Sequence, residues 1–101
     1  MRATPLGWAI VGPGSIAGRF AEAAVRLPET WLAAVCGRDA GRARDFAARF
    51  SQDEAVAVHT SLDALLADPR VEAVYVATPH GFHAEAVVAA LRAGKPVLCE
   101  K

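Results

Sequence analysis

The chain has 101 residues, 53% of them hydrophobic and 22% charged, with eleven basic side chains against eleven acidic ones. A single domain of that size buries a core without staples, and its balanced charge excludes the net field that would gather nucleic acid or an anionic membrane surface. Cys36 and Cys99, the only cysteines, are too few for a disulfide framework, and with no membrane-length apolar run and no signal-peptide pattern the cytoplasm is the expected location.

Apolar runs and helical patterns alternate along the whole length. "LGWAIVG" (6–12) is a short buried run ending in glycine. "SIAGRFAEAAVRL" (15–27) follows with helical spacing, and its apolar face is read as Ile16, Phe20, Ala23, Ala24 and Leu27. "TWLAAVCG" (30–37) is a second buried strand, and "AGRARDFAARF" (40–50) a helix with Ala43, Phe46, Ala47 and Phe50 inward. "AVAVH" (55–59) is a short third strand. "SLDALLAD" (61–68) is a short helix with Thr60 or Ser61 at its N-cap and Pro69 beyond its end. "VEAVYVATP" (71–79) is a fourth strand, "HAEAVVAALRAG" (83–94) a helix closed by Gly94, and "PVLCE" (96–100) a fifth, buried strand.

Strands that are apolar on both faces and separated by single helices make a parallel sheet covered on both sides. Right-handed crossovers then predict an α/β doubly wound parallel sheet, the Rossmann fold, with five strands in the order 3-2-1-4-5. In that order Cys36 and Cys99 end strands three spacings apart, about 14 Å and beyond disulfide reach.

The first strand runs into "GPGSIA" (12–17), which fits G-x-G-x-x-A. Gly12 permits the tight turn, Gly14 clears the backbone where a pyrophosphate would approach, and Ala17 lets the helix pack closely on the strand. Phosphates would then sit on the unpaired N–H groups at the positive end of the first helix. Glycine-rich turns also serve as plain corners, but this one sits after an N-terminal strand and within a repeating βαβ pattern.

The end of the second strand selects the adenosine ribose in this design, because an acidic residue there bonds both hydroxyls and repels a 2′-phosphate. Here the segment reads "AVCGRD", with Gly37 at the expected acidic position, Arg38 after it and Arg42 one helical turn on. Two guanidinium groups suit a single phosphate, so NADP is favoured over NAD as the cofactor. The alternatives are that both arginines are solvated charges with Asp39 capping the next helix, or that Asp39 itself contacts the ribose. The fourth strand ends in "ATPHGFHAEAV", where His80, His83 and Glu85 lack the further ligands and the spacing that zinc needs, so no metal is expected.

With "GPGSIA", "GRDAGRA", "ATPHGFHAEAV" and "AGKPVLCEK" in that order, the chain resembles the N-terminal nucleotide-binding domain of the Gfo/Idh/MocA oxidoreductases. The resemblance spans essentially all of residues 1–101 and implies an NAD- or NADP-dependent enzyme acting on sugars, cyclitols or related alcohols and carbonyls. It assigns pyrophosphate binding to Gly12, Gly14, Ser15, Ile16 and Ala17, and NADP preference to Arg38 with Arg42 as helper. It places Thr78, Pro79 and His83 along the nicotinamide half of the cofactor. The family's E-K-P signature puts a glutamate near the nicotinamide ribose and a lysine beside the substrate, here Glu100 and Lys101, with Lys101 as the catalytic candidate. His80 departs from the pattern, standing where asparagine is frequent.

The chain ends before the proline of that signature. The resemblance therefore implies that the C-terminal substrate domain is absent and that this piece alone is inactive. It also implies a full-length protein with a small-molecule substrate, assembled as a homo-oligomer through the missing sheet. Two other readings stand beside the enzyme: a non-catalytic NAD(P)-binding module, such as a redox sensor or a subunit completed by another chain, and a remnant whose partner surface is what matters.

Overall fold

A computed structural model describes residues 5–12, 15–50, 55–78 and 80–99. Along the chain the described elements are β1 (Leu6–Val11), α1 (Ser15–Arg26), β2 (Thr30–Cys36), α2 (Ala40–Ala48), β3 (Ala57–His59), α3 (Leu62–Ala67), β4 (Ala73–Val76), α4 (His80–Arg92) and β5 (Val97–Cys99). The strands form one parallel sheet in the order β3-β2-β1-β4-β5, as expected. Their carboxyl ends fall in one row, His59 beside Cys36, Cys36 beside Val11, Val11 beside Val76 and Val76 beside Cys99. Both cysteines are free thiols, and β1 and β4 lie between the strands that they end. No described helix is long and apolar enough to cross a membrane.

Each face of the sheet carries its own core. On one, Val11, Val74 and Val76 meet Leu65 of α3 and Ala86 and Ala90 of α4. On the other, Ile10, Leu32, Val35 and Tyr75 meet Ala17 and Ala21 of α1 and Ala43 and Phe46 of α2. The alternation within β1 thus feeds both cores, which is why the central strands are apolar throughout. A register shift between Trp8 and Ala9 leaves β2 one residue long against β1, and Ala33 and Ala34 both enter the α3/α4 core as a result.

Three expectations need correction. The inner face of α1 is Ala17, Ala21 and Ala24, all buried, while Ala23 and Leu27 are exposed, Leu27 at 52%. Close packing of this helix on the sheet selects its smallest residues for the contact. Phe20 is displaced to the flank, where it stacks on Tyr75 at 4.2 Å and meets Trp8 edge-on at 4.9 Å. The second correction is that α4 begins at His80, three residues before the expected start. The third concerns β5, whose Leu98 and Cys99 are exposed because among the described strands it is an edge paired only with β4.

Local signals account for the remaining ends. Ser61, of the two candidates, caps α3 by accepting from Ala64 N at 3.3 Å, and Asp39 caps α2 by accepting from Arg42 N at 3.1 Å. Gly94 closes α4, with Lys95 N donating back to Ala90 O at 3.0 Å.

Candidate functional site

The carboxyl row of the sheet floors a cleft of about 440 Å³. Val11 and Cys36 lie at its base, and the loops that leave β1, β2, β3 and β4 all reach it. In an open parallel sheet this edge, where the crossovers change direction beside β1, is where ligands lodge.

The β1 turn is built for close approach. Gly12 has φ +91°, a backbone region that disfavours side chains. Its N–H donates to Cys36 O at 2.9 Å, which ties the turn to β2. A Cβ at this position would lie 3.0 Å from both Cγ2 and N of Thr78. The turn and the end of β4 are therefore in contact with no space between them, and both line the cleft. Ala17, the third residue of α1, is 1% exposed and packs with Ile10, as a helix pressed against its strand requires.

From the β2 side come Gly37, Arg38, Asp39 and Arg42. Gly37 carries no carboxylate, and its N–H donates to His59 O at 3.2 Å, extending the pairing beyond β2. Arg38 and Arg42 both line the cleft, the second from the first turn of α2. Asp39 lies between them, but one of its oxygens is committed to the α2 cap. Burial pushes the Cys36 thiol up from its ordinary value, so the base of the cleft is neutral at neutral pH and behaves as an apolar surface.

Residues read from sequence thus divide into three groups. Gly12, Arg38, Arg42 and Thr78 meet at one cleft. Ser15, Ile16 and Ala17 open α1, and His83 falls in the first turn of α4. Gly14, Pro79, Glu100 and Lys101 lie outside the described residues. Beyond the two strand ends Val11 and Cys36, the cleft is also lined by Thr60, Leu62, Glu85 and Ala86, none of which had been given a place in it. The signal for Thr60 and Leu62 lay in the strand order, since β3 must lie beside β2 and the residues after it must overhang the same edge.

Behind Thr60, Asp68 holds the end of β3 to the connection that leads into β4. Its Oδ2 accepts from Arg70 Nη2 at 2.9 Å and lies 3.2 Å from His59 Nε2, while Oδ1 accepts from Arg70 N at 3.0 Å and Nε at 3.1 Å. The Arg70 hydrogen bonds, with help from His59, hold the Asp68 carboxyl far below the usual carboxylate range despite its burial.

A dinucleotide fits these residues. Gly12 has no Cβ and α1 begins three residues later, at Ser15, where a helix start offers unpaired backbone N–H groups of the kind that bind a diphosphate. The neutral, apolar floor suits an aromatic ring, and two arginines suit an added phosphate.

The fold and cleft agree with what the chain is similar to. The family model described as "Oxidoreductase family, NAD-binding Rossmann fold" (GFO_IDH_MocA) matches residues 6–101. Over 98 residues the chain is 44% identical to trans-1,2-dihydrobenzene-1,2-diol dehydrogenase of Mus musculus, covering 95% of this chain and 28% of that protein. It is 38% identical over 94 residues to scyllo-inositol 2-dehydrogenase (NADP(+)) IolU of Bacillus subtilis, covering 93% and 28% respectively. The crystal structure of GenD2 from gentamicin A biosynthesis, in complex with NAD, superposes with a TM-score of 0.89 at 38% identity, over 98% of this chain and 27% of that one. The chain spans about 28% of the length of these curated relatives. It belongs to the Gfo/Idh/MocA oxidoreductase family, and residues 6–101 are the NAD-binding Rossmann domain of that family.

Proposed function

We propose that this domain binds NADP for an oxidoreductase that passes a hydride between the nicotinamide and a carbon of a sugar, cyclitol or related alcohol or carbonyl compound. The observation that carries the choice of NADP is the end of β2, where Gly37 replaces an acidic side chain and Arg38 and Arg42 share the cleft. A carboxylate at that position would repel a 2′-phosphate, whereas two guanidinium groups attract one. Asp39 is a poor substitute for the missing carboxylate because it already caps α2. The NADP(+) in the name of the Bacillus subtilis relative supports this reading, while the NAD held by GenD2 shows that relatives of similar likeness take either cofactor.

When bound, the cofactor supplies the hydride chemistry, and the residues of this chain hold and orient it. Gly12 admits the diphosphate to the backbone N–H groups at the start of α1, helped by Gly14, Ser15 and Ile16. Ala17 fixes the distance of that helix from the sheet. Arg38 and Arg42 grip the 2′-phosphate. Thr78, packed on Gly12, leads with Pro79 and His83 toward the nicotinamide half. Glu100 and Lys101 follow β5, whose end lies in the same row as Val11 and Val76. Glu100 takes the nicotinamide ribose, and Lys101 orients the substrate oxygen or relays its proton. A second domain supplies the opposite wall for the substrate, and the mouse and Bacillus relatives, with a diol and a cyclitol in their names, suggest the substrate class.

Titration of the chain with each cofactor tests the reading. A charge-assisted contact of about 1.5–3 kcal/mol predicts that NADP binds roughly 10- to 100-fold tighter than NAD. Equal affinities, or a preference for NAD, would overturn the choice of NADP.

A further inference from the structure

One wall of the cleft does not suit phosphate. Glu85, from the second turn of α4, lines the same cavity as Arg38 and Arg42. The two sets of charge arrive from opposite faces of the sheet. The α2 side chains pack with Ile10 and Val35, whereas Ala86, next to Glu85, packs with Val11 and Val76. The apolar side chains of Leu62, Ala86 and Cys36 line the same cleft. The cleft thus has Arg38 and Arg42 on the α2 side, where the one other lining carboxylate among the described residues, Asp39, is committed to the α2 cap, and the Glu85 carboxylate on the α4 side.

A carboxylate repels phosphate, and Glu85, unlike Asp39, caps no helix, so its place in an anion-binding cleft calls for a different ligand group. It accepts hydrogen bonds and, when ionised, donates none. The part of NADP that spans such a cleft is the 2′-phosphoadenosine half. It carries an anion on the ribose, a flat ring that suits an apolar surface, and an exocyclic amino group at the far side of the ring. That N6 amino group is a donor pair, and hypoxanthine presents a 6-oxo acceptor at the same position.

We propose that Glu85 is a specificity-determining residue that reads the adenine base, accepting a hydrogen bond from its N6 amino group. The assignment rests on the cofactor reading above and extends it from the ribose phosphate to the base. Glu85 is exposed at the cleft rim, so solvent competes for its hydrogen bond and the contribution is that of an ordinary contact rather than a buried charged one.

The test is binding of NADP and of its 6-oxo analogue, nicotinamide hypoxanthine dinucleotide phosphate, followed by intrinsic fluorescence or calorimetry. The chain is expected to favour the adenine form about 3- to 10-fold. Glu85→Ala should abolish that preference while the preference for NADP over NAD persists, because Arg38 and Arg42 are untouched. Glu85→Gln, which can both donate and accept, should also level the two bases. Equal binding of the two bases by the unaltered chain, or a preference that survives Glu85→Ala, overturns the assignment and leaves the cofactor reading standing. Failure to bind NADP or NAD at all overturns the cofactor reading itself and the assignment with it.

Discussion

The two ends of β1 are both crowded glycine sites, and they serve opposite purposes. At the amino end, Gly7 donates to Glu72 Oε1 at 2.9 Å and accepts from Glu72 N at 2.8 Å. A Cβ there would lie 2.1 Å from the carbonyl oxygen of Arg70. At the carboxyl end, a Cβ on Gly12 would lie 3.0 Å from Thr78. The first site closes strand on loop and leaves no opening. The second brings two loops together at the rim of a cleft. Crowding at the amino edge serves the fold, whereas crowding at the carboxyl edge shapes a surface that another molecule can approach.

If that contrast is right, the two glycines respond differently to the same substitution. The largest loss of stability belongs to Gly7→Ala, since a backbone carbonyl must move to admit the methyl group. Overpacking of that severity costs about 3 kcal/mol or more, which lowers the Tm of a domain this size by at least about 12 °C. A thermal melt checks it, and a shift of only a few degrees would mean that the Arg70 loop yields easily.

Asp68 sharpens the same point, because it fixes the Arg70 loop whose carbonyl closes over Gly7. Asp68→Asn should cost about 2–3 kcal/mol at neutral pH by weakening a buried, charge-assisted cluster. The sign of the pH dependence follows from the lowered carboxyl. Its contribution is complete above the unfolded value of about 3.9 and is lost as pH falls below that toward the folded value. Denaturant midpoints at pH 7 and pH 3 should therefore differ more for the unaltered chain than for Asp68→Asn.

Gly12→Ala should cost less stability than Gly7→Ala, about 1–2 kcal/mol for a side chain forced to positive φ. Its distinguishing effect is on binding. Affinity for NADP and NAD should fall together, because the proposed binding mode sets the diphosphate common to both against this turn. A change in their ratio would place Gly12 beside the ribose phosphate instead.

The same contrast marks what was legible in the sequence. The strand order, the inward face of α2 and the turn at Gly12 follow from patterns a few residues long, and the fold bears them out. Arg38 and Arg42 were legible because their spacing along the chain already brings them to one helix start. Gly7 was not, since the carbonyl it meets belongs to a loop far along the chain. The face of α1 departs from its hydrophobic pattern because hydrophobicity favours large side chains, while a helix pressed on a sheet needs small ones at the contact. Thr60 and Leu62 carry no motif of their own, Glu85 and Ala86 stand in the "ATPHGFHAEAV" stretch without an expected cleft role, and only the assembled sheet brings all four to the edge that Arg38 lines.

The claim that the carboxyl edge of this sheet is an NADP site is tested most directly by Arg38→Ala, with dissociation constants for both cofactors measured side by side. Arg38 is exposed, so the melting temperature should hardly move. NADP affinity is expected to fall roughly 10- to 100-fold, to near that of NAD, while NAD binding stays nearly unchanged. An equal loss for both cofactors would contradict the claim, because Arg38 would then support the shared part of the site and nothing at the end of β2 would distinguish the 2′-phosphate.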